Sequence, residues 1–184
     1  NIQQLPNIPP NNCTVLPQTV CTEKGTYTYT VHLPPTPGGY TITHQRCCRN
    51  NTITNINNGS SQWGSTFTID IPSNDVACNN SPKYKDDPPV VLCLDVPVKL
   101  DLSVTETDGD SVFYELCSVL NGGANSAGLI APNPASPPPY VQIPFIGGFS
   151  SSNPIASNPG FTINPVTGQL SGKPNMVGQF VFAI

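Results

Sequence analysis

The chain reads as all-β, and three features of its 184 residues predict this class. Prolines number 22 and glycines 15, which leaves little room for uninterrupted helices. Runs in which apolar and polar residues alternate recur along the chain, the period of half-buried strands. Seven cysteines sit in a sequence of which only 10% is charged, a combination that suits cross-linked ribbons outside the reducing cytosol.

The elements follow in order. Residues 1–12 carry Pro6, Pro9 and Pro10 and read as a Pro-rich linker, with no apolar stretch of the signal-peptide kind, as expected of a mature or excised piece of a longer protein. In Thr26 to Leu33, Tyr27, Tyr29, Val31 and Leu33 share one face and Thr28, Thr30 and His32 the other, predicting a strand. The turn Pro34-Pro35-Thr36-Pro37-Gly38-Gly39 predicts a hairpin with Tyr40 to Arg46. Ser65 to Ile71 alternates again, with Phe67, Ile69 and Ile71 together. The charged, proline-ended NNSPKYKDDPP, residues 79–89, loses the apolar period and marks a boundary. The division is therefore a first β unit over 13–80, a linker over 81–89 and a second unit over 90–184 whose last strand is expected to be truncated.

In the second unit, Val90 to Asp95 and Val98 to Val104 read as strands, with Val98, Leu100, Leu102 and Val104 inward. Ser111 to Cys117 should pair with the latter across Asp108-Gly109. Residues 121–160, rich in Asn, Gly, Ala, Ser and Pro, read as a long ordered loop. Phe161 to Asn164, Gln169 to Ser171 and Gly178 to Ile184 complete the strands.

Composition excludes some functions. Seven Lys and Arg against eleven Asp and Glu supply no basic stripe, so nucleic acid is not an expected partner. No apolar run is long enough to span a membrane as a helix.

Several constellations could carry chemistry. Glu106, Asp108 and Asp110 gather three carboxylates around Gly109, a pattern of hard oxygen ligands that suits calcium, with Asp86 and Asp87 as further donors should the linker lie close. Against this stands the ordinary role of Asp-Gly as a hydrated hairpin turn. His32 and His44 are the side chains that titrate near neutrality, and both sit in alternating strands without a nucleophile motif; neither a GxSxG elbow nor a phosphate loop is present. No catalytic residue is assigned, and the chain is expected not to be an enzyme. Cys13, Cys21, Cys47, Cys48, Cys78, Cys93 and Cys117 are disulfide candidates; their odd number leaves one thiol free or paired outside the chain, and the connectivity stays open. Adjacent strand residues point to opposite faces, so Cys47 and Cys48 are expected to bond different partners. Asn12, Asn50, Asn58 and Asn79 begin N-x-Ser/Thr sequons. Trp63 and Tyr140 are candidate platforms for stacking a sugar, although a lone Trp in a sandwich is more often core.

Four blocks, HQRCCRNNTI (44–53), ACNNSPKYKDDPPVVLC (77–93), TDGDSVFYELC (107–117) and PPPYVQIPF through GQFVFAI (137–184), together resemble the paired module of gliding-motility-associated, type IX-secreted surface proteins of Bacteroidota. Within the last block, FTINPVTGQLSGKP is similar to the Ig-like and cadherin-like repeats of large adhesins. The resemblance implies two tandem immunoglobulin- or cadherin-like β-sandwich units, stapled by disulfides, in an extracellular adhesin, stalk or filament. Its partners would be further repeats of the same protein, self-assembly, or a surface polysaccharide. It also implies an acidic loop of the form Asp-x-Asp-Gly-Asp, matched by Asp108, Gly109 and Asp110 with Glu106 in place of the first Asp. A further cysteine beyond Ile184 would pair the seventh. The alternative is a carbohydrate-binding module of a secreted protein or enzyme.

Overall fold

A computed structural model describes residues 2–5, 22–57, 63–73, 79–87, 91–123 and 131–184. Among them there is no helix, and every regular element is a strand in a small antiparallel sheet, so the class is all-β. The strands are β1 (Ile2–Leu5), β2 (Thr22–Gly25), β3 (Tyr40–Arg46), β4 (Ser65–Ile71), β5 (Lys83–Tyr84), β6 (Val98–Asp101), β7 (Val104–Thr105), β8 (Thr162–Ile163) and β9 (Gln169–Gly172). They form the pairs β1–β2, β3–β4 and β5–β7 and the three-stranded sheet β6–β9–β8. No helix is long and apolar enough to cross a membrane.

The amino terminus departs from the linker reading. Ile2–Leu5 precedes the first proline, so its amides are free to enter a ladder, and it pairs with Thr22–Gly25. The strand expected at 26–33 does not form a ladder. Tyr27, Tyr29 and Val31 are 83%, 68% and 52% exposed, and β3 pairs with β4 instead, Tyr40 opposite Ile71 and Arg46 opposite Ser65. Gly39 makes this hairpin possible: its φ is +74°, and a Cβ there would lie 2.0 Å from the Ile71 carbonyl oxygen.

The three-stranded sheet follows the sequence pattern closely. Val98 and Leu100 are buried and Lys99 and Asp101 exposed, as their alternation requires. Leu170, 1% exposed, sits on the central strand opposite both Leu100 and Ile163. With Leu102, Ile155 and Phe161 these residues make one core cluster, against which Leu116, Phe180 and Phe182 pack. The expected run to Val104 breaks after Asp101 because its carboxylate accepts the Ser103 amide at 2.9 Å, a local turn that competes with the ladder. Val104–Thr105 then turns to Lys83–Tyr84.

Two other expected strands are replaced by single contacts. In 111–117 the Tyr114 amide donates to the Pro165 carbonyl at 3.0 Å and Cys117 bridges Ala183. In 178–184 the partner changes along the segment, Gln179 bridging Ile53 and Ala183 bridging Cys117. Val91–Asp95, the described part of another expected strand, is irregular and ends in a turn, with Asp95 at φ 57°.

The long excursion contributes to the interior. Ile143 donates its amide to the Val119 carbonyl at 2.8 Å and joins Ile53, Ile56 and Val119 in a second core cluster, lined by Trp63, Phe145 and Val181. That cluster draws Ile53 and Ile56 from 13–80 and Val119 and Ile143 from 90–184, so the two expected units share it. Burying one such side chain stabilises the fold by about 1.5–3 kcal/mol.

Candidate functional site

Glu106, Asp108 and Asp110 lie on the connection leaving β7, where one carboxylate oxygen from each falls within 4.8 Å of the others. Glu106 folds back over its own turn: its Oε1 accepts the Asp108 amide at 2.7 Å, and its Oε2 accepts those of Gly109 at 2.6 Å and Asp110 at 2.8 Å. Gly109, at φ +87°, gives the turn its left-handed step. The longer side chain is what lets Glu106 span three amides, a role no carboxylate pattern announced.

The two aspartates are held from the other side of the sequence gap. Asp108 accepts the backbone amide of Asn80 and, at 2.9 Å, its Nδ2; Asp110 accepts Asn79 Nδ2 at 3.0 Å. Asn79 and Asn80 were legible only as part of a sequon, yet they clamp the acidic turn. Hydrogen bonding from the Asp108 amide holds the Glu106 carboxyl below its ordinary range, and the Asn80 amide does the same for Asp108. All three carboxylates keep lone pairs that these bonds do not use, so as a set they have the donor chemistry to hold calcium. Asp87 is engaged elsewhere, in an ion pair with Lys24 at 3.0 Å. Asp86 is exposed and is not part of the group.

Next to this turn opens a cleft of about 760 Å³, lined by Lys85, Asp101, Asp110, Tyr114, Asn164 and Gln169 among others. Tyr114 is buried on its wall, its hydroxyl accepting the Val104 amide at 2.9 Å. Gly168 packs so close to that ring that a Cβ would lie 2.9 Å from Cε1. The cleft offers both signs of charge and side-chain amides, a setting for polar contacts.

The cysteines correct one expectation. Cys47 and Cys48 are bonded to each other, with Cα atoms 3.0 Å apart. Strand β3 has already ended at Arg46, so the alternation of strand side chains does not govern this pair. Cys47 is buried and Cys48 exposed. Cys93 is also disulfide-bonded. Cys117 is the free cysteine among the described residues, and burial, with Glu115 nearby, pushes its thiol above the ordinary range. Cys13, Cys21 and Cys78 lie outside the described residues, as do Asn12 and Asn58.

The remaining candidates have structural work. Trp63 packs against the second core cluster and donates its indole N–H to the Asn57 carbonyl. Tyr140 shares a hydrogen bond with Thr43 at 2.7 Å. Arg49 donates to the carbonyls of Gly64 at 2.8 Å and Leu120 at 3.4 Å, and burial lowers the pKa of its guanidinium. His44 lies against Phe67, ring centres 6.3 Å apart, and His32 is exposed. Asn50 caps its own turn by accepting the Thr52 amide at 3.0 Å.

No family model, curated protein or solved structure matches this chain.

Proposed function

We propose that this chain is a non-catalytic structural and adhesive module of a larger secreted cell-surface protein, built on Ig- or cadherin-like β units. The observation that supports the reading is the pairing of the adjacent Cys47 and Cys48, with Cys93 also paired, because disulfides persist in oxidising compartments and are rare where thiols are kept reduced. The all-β frame with its proline-rich connections supports it, as does the order of the four blocks that resemble type IX-secreted surface proteins. In this reading the acidic turn, Trp63 and Tyr140 serve the fold, and the surface serves contact with neighbouring copies and repeats.

Antibodies raised against the chain should label intact, unpermeabilised cells of the organism that makes it. Deleting the segment should weaken attachment of those cells to surfaces. Labelling confined to lysed cells would overturn the proposal.

A further inference from the structure

Near Arg46 and Ser65 the β3–β4 hairpin turns polar side chains to the protein, while Phe67 and Ile69 on its other face are exposed. Directly opposed residues of an antiparallel pair share a side, so Tyr40, Ile42 and His44 lie with Ile71, Ile69 and Phe67 on one face. Thr43, Gln45 and Thr66, on the other, bond inward to Tyr140 at 2.7 Å, the Ser136 carbonyl at 2.9 Å and the Asn121 carbonyl at 2.7 Å. Phe67 is left 64% and Ile69 42% exposed. Among the described residues β3 has β4 as its only ladder partner, so its outer edge is open.

The chain carries a segment whose pattern suits this edge. Thr28 to Leu33 engages in no ladder, and Tyr27, Tyr29 and Val31 are all exposed. Its alternation of Thr with Tyr matches that of β3, in which Thr41 and Thr43 alternate with Tyr40 and Ile42. Added beside β3, it would continue the threonine row on the polar face and set Tyr27, Tyr29 and Val31 beside Ile42 on the apolar one. Within one molecule the connection from this segment to β3 is short and proline-rich. Pro34, Pro35 and Pro37 stiffen the connection, Gly39 donates its amide to the Thr36 carbonyl at 3.2 Å, and the Tyr40 hydroxyl donates to the Pro34 carbonyl.

We propose that the outer edge of β3 receives the Tyr27–Leu33 segment of a second copy of this chain, so that copies join by strand addition. This deepens the structural reading above by naming its partner. An edge strand with an apolar face is a template for such pairing.

Sedimentation of the whole chain under non-reducing and reducing conditions, on a Cys117→Ser background that removes the free cysteine of the described residues, tests the proposal over about a hundredfold range of concentration from micromolar upward. The mass should rise at least twofold, and amides of residues 27–33 should gain protection from hydrogen exchange as it does. Thr30→Pro, which removes a ladder donor from an exposed residue, and Ile69→Lys should each abolish the rise while leaving the melting temperature unchanged. A mass constant at the monomer value would overturn the proposal, as would association with 27–33 unprotected, association unaffected by Thr30→Pro, or protection of 27–33 already complete in dilute monomer. A monomer that still labels intact cells would leave the surface reading standing and remove only this contact.

Discussion

The side chain of Asn55 hydrogen-bonds the backbone of Val181 in both directions. Its Oδ1 accepts the Val181 amide at 3.0 Å, and its Nδ2 donates to the Val181 carbonyl at 2.6 Å and to the Pro154 carbonyl at 2.7 Å. Fully buried, Asn55 thus takes the place of a strand partner for a segment that lacks a regular ladder. It ties the 53–56 turn to both the carboxy-terminal stretch and the excursion.

Replacing Asn55 by Ala should therefore cost about 3 kcal/mol, because a buried amide and two carbonyls lose their partner. Asn55→Asp keeps the acceptor, loses the donor and buries a charge, so it should cost more. Urea unfolding of the two variants measures both. A loss below about 1 kcal/mol for Asn55→Ala would mean that solvent reaches the site.

Gly168 and Tyr114 form a second point of close fit. A methyl at Gly168 meets the Tyr114 ring at 2.9 Å and the Leu102 carbonyl oxygen at 3.1 Å, in a backbone with φ +71°. Gly168→Ala should destabilise by about 2–4 kcal/mol. Tyr114→Phe, which orphans the Val104 amide, should cost about 1–3 kcal/mol in the same measurement.

Glu106 gives the acidic turn a definite pH dependence. Its folded pKa lies below the ordinary value of 4.5, so the stabilisation is complete above that value and is lost as pH falls through the lower, folded one. Melting temperatures of the native chain should drop across this acid window, and Glu106→Gln should flatten that part of the profile while lowering stability at neutral pH. Because Glu106, Asn79 and Asn80 already tie the turn together by hydrogen bonds, a chelator should leave the melting temperature unchanged. A fall on chelation, reversed by calcium, would show that the turn depends on the ion.

Sequence patterning located the strands in which alternation and burial coincide, even where the partner is distant in sequence, and failed where they do not. Val98 to Asp101 and Gln169 to Gly172 were legible because alternation and burial agree at Leu100 and Leu170. Thr26 to Leu33 has equal alternation, yet period alone does not say whether an edge is available to receive it. Tyr114 and Cys117 were read as strand residues, whereas their amides find Pro165 and Ala183, far away in sequence. The acidic trio was legible by composition, but not its clamp by Asn79 and Asn80. The Cys47–Cys48 bond was hidden by the strand rule, which ceases to hold once β3 ends.

The compartment of the protein is tested most directly by peptide mapping without reductant, on material alkylated as it leaves the cells that make it. Cys47 and Cys48 should be recovered in one peptide lighter by two hydrogens, Cys93 should be cross-linked, and Cys117 should carry the alkyl group, attached slowly because its thiol is raised. Recovery of Cys47, Cys48 and Cys93 as alkylated thiols would contradict an extracellular, disulfide-held module.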